Sequence, residues 1–245
     1  MNTEDGQVLD VPGTLGLPTA FTPERIWLPT SSQEGSARIA TVAEVDIGAG
    51  RVTRMPAGEG VALAIAVSRS LVFVGFGNGE VRALLLTPTP VLSLSASVAL
   101  LAVGEGKLWA IDSRGQMSLL NLRTNRVSAN IARLPGRLGA SAVVADGRLW
   151  VSGTSLVALN EQGSVQTIEM PGGPVTNVAR CGGRIWTAQK NLGGEYGNSP
   201  GLRAANADGV VTRTVPASFP GYLACGGEYL WAATVDGQLY RLKVR

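Results

Sequence analysis

Asp146-Gly147-Arg148-Leu149-Trp150-Val151 reads as a tight turn running into a strand with tryptophan at its centre. Asx residues and glycine are what a reversal demands. The same context holds all five tryptophans of the chain: Arg25-Ile26-Trp27, Lys107-Leu108-Trp109, Arg148-Leu149-Trp150, Arg184-Ile185-Trp186 and Tyr229-Leu230-Trp231. A sixth unit, Ser70-Leu71-Val72-Phe73-Val74, carries phenylalanine in that place. Successive markers lie 46, 36, 41, 36 and 45 residues apart. Propeller blades of four strands repeat at roughly 40–45 residues, so six units use the whole 245-residue chain. The spacing predicts an all-β fold: a single six-bladed β-propeller domain over 1–245 with four-stranded antiparallel blades.

Within the fourth unit, Ala140–Val144 is a small, apolar inner strand and Arg148–Ser152 the second strand. Ser155–Asn160 is the third, Glu161-Gln162-Gly163 turns, and Val165–Met170 is the outer strand. Pro171-Gly172-Gly173-Pro174 then crosses to the next inner strand, Val175–Arg180. Matching third-to-fourth turns are Asp46–Gly50, Asn121–Asn125 and Asn206–Gly209. A large flat side chain on each second strand would fill the wedge between neighbouring blades, which places the tryptophans in the scaffold. The last unit has an inner strand (Gly221–Cys225), a second (Tyr229–Thr234) and a third (Gln238–Val244), but no fourth. Gln7–Val11 is expected to supply it and remove the open seam.

Composition narrows the chemistry. Hydrophobic residues make up 45%, enough for a sizeable core. The longest apolar runs, Val61–Val67 and Val98–Val103, are strand-sized, so no membrane insertion is expected. The N-terminus lacks the charged and apolar regions of a signal peptide, leaving a cytoplasmic protein or part of a longer exported chain, with the extracytoplasmic reading favoured. The net charge of +3 is carried by scattered arginines, without the clustered cations and interleaved aromatics of a nucleic-acid groove. There is no histidine. The usual general base, the Ser-His-Asp triad and the commonest zinc ligand are therefore missing. No catalytic residue, metal or cofactor is expected.

The pattern of a Gly-bearing turn, a basic residue, Leu or Ile, and Trp resembles the lactonase-like YVTN propellers and the streptogramin B lyases. Asp146–Val151 and Gly106-Lys107-Leu108-Trp109-Ala110 carry it best. The resemblance covers all six units and implies the fold. The lyase chemistry it would also imply uses histidines and a magnesium site, and this chain has no histidine to receive that role.

Ligand sites on propellers usually lie among the loops between second and third strands and the crossings between blades. Most such loops here are minimal, as at Asn78-Gly79 and Asp236-Gly237. Two read as long: Thr30–Ser36 in blade one and Gln189–Gly201 in blade five, flanking blade six. With the crossing Pro216–Tyr222 they are expected to form one off-centre wall lined by Lys190, Asn191, Glu195, Tyr196, Phe219 and Tyr222. The inner strands are small and apolar apart from Thr176, Asn177 and Arg180. Arg180 suits a capping role or an anion site. Cys181 and Cys225 end corresponding inner strands and are either a disulfide or two buried thiols, depending on whether their Cα atoms come within roughly 7 Å. Asp112, Asp146, Asp208 and Asp236 fall one per blade and read as turn residues, because calcium needs several oxygens at one point.

These features point to a non-catalytic binding or sensor module, expected to be monomeric, that takes a protein or small ligand on the loop face. The alternatives are a lyase- or lactonase-like enzyme using carboxylates or a metal, and a structural scaffold.

Overall fold

The computed structural model describes residues 14–15, 20–22, 24–34, 36–46, 48–68, 71–84, 87–217, 220–226, 228–234 and 239–244. The described residues form β-strands joined by turns, with one 3-10 turn at Gly194–Tyr196. Six antiparallel sheets follow one another along the chain, the order of a six-bladed propeller. In the first, β1 (Thr14–Leu15) and β2 (Ala20–Phe21) both pair with β3 (Arg25–Glu34), followed by β4 (Ala37–Asp46) and β5 (Arg51–Glu59). The second runs β6 (Ala62–Ser68), β7 (Leu71–Phe76), β8 (Glu80–Leu84) and β9 (Pro88–Ser93). The third runs β10 (Val98–Gly104), β11 (Lys107–Asp112), β12 (Gln116–Asn121) and β13 (Arg126–Arg133). The fourth is β14 (Leu138–Ala145), β15 (Arg148–Gly153), β16 (Leu156–Asn160) and β17 (Val165–Ile168). The fifth is β18 (Val175–Cys181), β19 (Arg184–Gln189), β20 (Gly201–Ala205) and β21 (Val211–Pro216). The sixth has β22 (Pro220–Gly226), β23 (Tyr229–Thr234) and β24 (Leu239–Lys243). The residues divide into two compact units, 1–101 with 110–114 and 102–109 with 115–245.

The aromatic marker sits on the second strand of each sheet, and its packing follows the wedge logic. In the first unit Trp27 shares a buried cluster with Ala62, Ile65, Val74 and Phe76 of the second sheet. In the second unit Trp150 packs with Val175, Val178 and Ile185 of the fifth sheet. Trp186 packs with Leu223, Leu230 and Val244 of the sixth. Two buried indole N–H groups are paired alike: Trp150 Nε1 donates to the Ala145 carbonyl at 3.3 Å and Trp186 Nε1 to the Cys181 carbonyl at 3.2 Å, each five residues back, whereas Trp27 Nε1 donates to the Glu44 carboxylate at 3.3 Å. Trp109 is equally buried, but its Nε1 has no partner among the described residues. Trp231 departs from the pattern in being only half-buried, with the Arg241 guanidinium 5.8 Å from its ring centroid.

The Asx turns close as their sequence implies. Asn121 Oδ1 accepts from the amides of Arg123 and Thr124, Asn160 Oδ1 from Gln162 and Ser164, Asn206 Oδ1 from Asp208 and Val210, and Asp46 Oδ1 from Ala49. Other turn groups tie one sheet of the second unit to the next. Lys107 pairs with Glu161 at 2.5 Å, Glu105 accepts from the Gly147 amide, and Arg180 pairs with Asp146 at 2.9 Å. Arg180 therefore caps the neighbouring turn. Lys107 donates to the Glu161 carboxylate and holds it below the usual carboxylate range. Asp112 closes its own turn by accepting from the Arg114 amide and is buried.

Three expectations are corrected. Thr30–Ser36 is not a long loop: β3 runs on to Glu34 and pairs with β4 from Glu34↔Ala37 inward. Thr30 is buried, with its hydroxyl 2.5 Å from that of Thr41. The run reads as a loop by polarity, yet ladder hydrogen bonds and β-branched threonine make a long hairpin of it. The first sheet also has two short strands where one inner strand is expected. Tyr222 belongs to inner strand β22 and pairs in register with Ala233, so it is no part of a crossing loop. Of the two alternatives left open for the cysteines, the disulfide is the one formed: Cys181 and Cys225 have Cα atoms 5.3 Å apart and are bonded. The inner strands of the last two sheets come close enough at these ends to admit it. Gln7–Val11, Phe219 and Asp236 lie outside the described residues.

Candidate functional site

The β19–β20 connection is the longest between second and third strands in the second unit, spanning 190–200. Its base is closed by the Gln189↔Gly201 pair. Above that pair the loop folds back on itself. The Leu192 amide donates to the Ser199 carbonyl and the Gly193 amide to the Gly197 carbonyl, both at 2.8 Å. The Ser199 amide donates to the Tyr196 carbonyl at 3.1 Å. The reversal needs left-handed backbone at Gly193 and Gly197, where φ is 65° and 56°. Gly193 also meets the crossing segment: a Cβ there would lie 2.8 Å from the Gly172 backbone.

Two buried polar groups and one apolar side chain hold this loop down. Leu192 is fully buried in an otherwise polar stretch. Arg203, on β20, is only 4% exposed. Its guanidinium donates to the Pro171 carbonyl, to the Leu192 carbonyl and, at 3.1 Å, to Gln189 Oε1. Gln189 Nε2 in turn donates to the carbonyls of Pro171 and Gly173, both at 3.1 Å. Burial lowers the Arg203 pKa from its ordinary value while nearby Tyr196 acts in the opposite direction; the group stays charged at neutral pH. One side chain thus fastens the loop to the Pro171–Gly173 crossing.

Of the expected site residues, Lys190 and Glu195 are exposed on this loop and Tyr196 is half-buried beside Glu195. Interaction with the adjacent Glu195 carboxylate, which favours the neutral phenol, raises the Tyr196 pKa above its ordinary value. Asn191 has a different role from the one expected. Its Oδ1 accepts from the Gly193 amide at 2.8 Å and its Nδ2 donates to Asn198 Oδ1 at 2.9 Å, so it builds the loop. Tyr222 is 45% exposed on the inner strand of the sixth sheet. The residues that sequence reasoning missed are Arg203, Gln189 and Leu192. Their signal is a charge inside the apolar run Gly201-Leu202-Arg203-Ala204-Ala205 and a lone leucine in a polar loop.

Two expected results follow from this geometry. Arg203→Leu leaves buried carbonyl groups unpaired and should cost about 2–3 kcal/mol, with protease sensitivity appearing within 190–200. Equilibrium denaturation with limited proteolysis measures both. Ultraviolet titration of Glu195→Gln should show one tyrosine ionising at lower pH than in the wild type, because the carboxylate that favours its neutral form is gone. An unchanged titration curve would contradict the Glu195–Tyr196 contact.

Among the described residues, no three of His, Cys, Asp and Glu converge to hold a metal ion. No family model matches the chain, and no curated protein matches it. Solved structures do. A protein of unknown function from Bacteroides thetaiotaomicron aligns with a TM-score of 0.59 at 16% identity, over 90% of this chain and 66% of that one. The WD40 domain of Toxoplasma gondii coronin aligns with a TM-score of 0.64 at 12% identity, over 92% and 66%. The likeness is one of fold. The chain spans 66% of the length of each of these two structures. A chain of a nidogen/laminin complex aligns with a TM-score of 0.59 at 8% identity, over 83% and 86%. The fold is thus an all-β propeller, and the finer YVTN and streptogramin-lyase resemblance finds no match among the families compared.

Proposed function

We propose that the chain is a non-catalytic interaction propeller, monomeric, that presents the loop 190–200 to a protein or small ligand. The observation that carries this is the buried Arg203–Gln189 network beneath a loop whose Lys190 and Glu195 side chains are exposed. A loop held in one conformation before binding loses less entropy on association. Tyr222, on β22 of the sixth sheet, and Phe219 are proposed as further contacts. The nidogen/laminin structure, a complex, supports the general use of this fold for partners. The Cys181–Cys225 bond suits an oxidising compartment and so supports an extracytoplasmic setting.

A photo-crosslinking residue placed at 196 tests this, with a second protein labelled at exposed Val165 on β17 as comparison. In an extract of the cells that make the protein, an adduct of defined mass should form from position 196 and not from 165. Adducts from both positions alike, or from neither, would contradict the reading.

A further inference from the structure

The outer strand of the third sheet carries a second surface. Residues 113–145 contain five arginines and no carboxylate. Three of them, Arg123, Arg126 and Arg133, are exposed on β13 or in the turn leading into it, a fourth, Arg137, is exposed just before β14, and none of the four forms an ion pair with a described residue. Glu161, which shares a groove with Arg126, is already taken by Lys107. β13 ends its sheet, with β12 as its sheet partner, and every residue from Arg126 to Asn130 is exposed. Arg126–Ser128 pairs in regular register with β12 and presents ladder donors and acceptors on its outer side; beyond it the strand bulges, with Asn130 at a φ of 54° and its amide donating to Ser118 Oγ. Beside it lies a groove of about 560 Å3 whose lining includes Leu119, Arg126, Val127, Ser128 and the Lys107–Glu161 ion pair, with Val127 48% exposed.

We propose that this edge binds an extended acidic peptide segment of a partner protein by adding it as a fifth strand. Backbone hydrogen bonds to the regular stretch Arg126–Ser128 would provide affinity, Val127 an apolar contact, and the arginines the preference for glutamate and aspartate. A nucleic acid fits less well. Single strands are held by stacking on aromatic side chains, and the one aromatic within 107–137 is Trp109, which is buried. The surface is separate from the blade-five loop, and its test does not depend on that loop.

The probe is a fluorescein-labelled octapeptide of alternating glutamate and valine, followed by fluorescence anisotropy at low and at physiological salt. Saturable binding that weakens with salt is expected. Arg126→Glu with Arg133→Glu should reduce affinity about tenfold or more, with an unchanged circular dichroism spectrum. Proline at the centre of the peptide, which removes a ladder donor, should weaken it comparably with the wild-type protein and needs no variant to fold. Three results would each overturn the proposal: no saturable binding, equal binding of the proline peptide, or a labelled oligothymidylate bound as tightly as the acidic peptide.

Discussion

Trp186→Ala should destabilise the protein by about 4 kcal/mol, within the range for truncating a large buried aromatic. The indole is fully buried in a cluster that joins the fifth and sixth sheets through Ala188, Leu223, Leu230 and Val244. Its removal leaves a cavity between two sheets whose backbone ladders hold them apart, so little collapse can offset the loss. The Cys181 carbonyl also loses its donor. For a chain of this size the thermal midpoint should fall by roughly 10 °C. Trp231→Ala, at the equivalent half-buried position, should cost about 1–2 kcal/mol. Equal effects at the two positions, measured by urea denaturation, would contradict the wedge role of the repeated aromatic.

The second large effect is the disulfide. It closes a loop with a sequence separation of 44 residues, for which chain entropy predicts about 4 kcal/mol. Cys181→Ala with Cys225→Ala should therefore lower stability by about 3–4 kcal/mol. Cys225 is exposed, so a dithiol reductant can reach the bond in the folded protein. Reduction should lower the wild-type midpoint and leave the double variant unchanged. Because Trp186 and Cys181 share one buried cluster, the two losses should not add when combined. A wild-type midpoint indifferent to reductant would contradict the bond.

The sequence reveals those features that local chemistry decides. The Gly-basic-Leu-Trp phrase recurs because each blade needs the same turn and the same wedge, and the Asx positions at Asn121, Asn160 and Asn206 close the turns that they announce. Long-range geometry is harder to see. The Cys181–Cys225 distance depends on how two inner strands converge, which spacing does not give. Thr30–Glu34 looks like a loop because its polarity is visible and its pairing with β4 is not. The loop 190–200 is legible as a long connection carrying Lys190, Glu195 and Tyr196. Its foundation is not, because Arg203 acts through carbonyls at Pro171 and Leu192 that any residue would supply.

Amide hydrogen exchange within 190–200 tests the preformed loop most directly. The amides of Leu192, Gly193 and Ser199 are hydrogen-bonded within the loop. In the wild type they should be protected to a degree approaching the β19 and β20 amides, and Arg203→Leu should abolish that protection without affecting the strands. Exchange of these three amides at unprotected rates in the wild-type protein would contradict a preorganised loop.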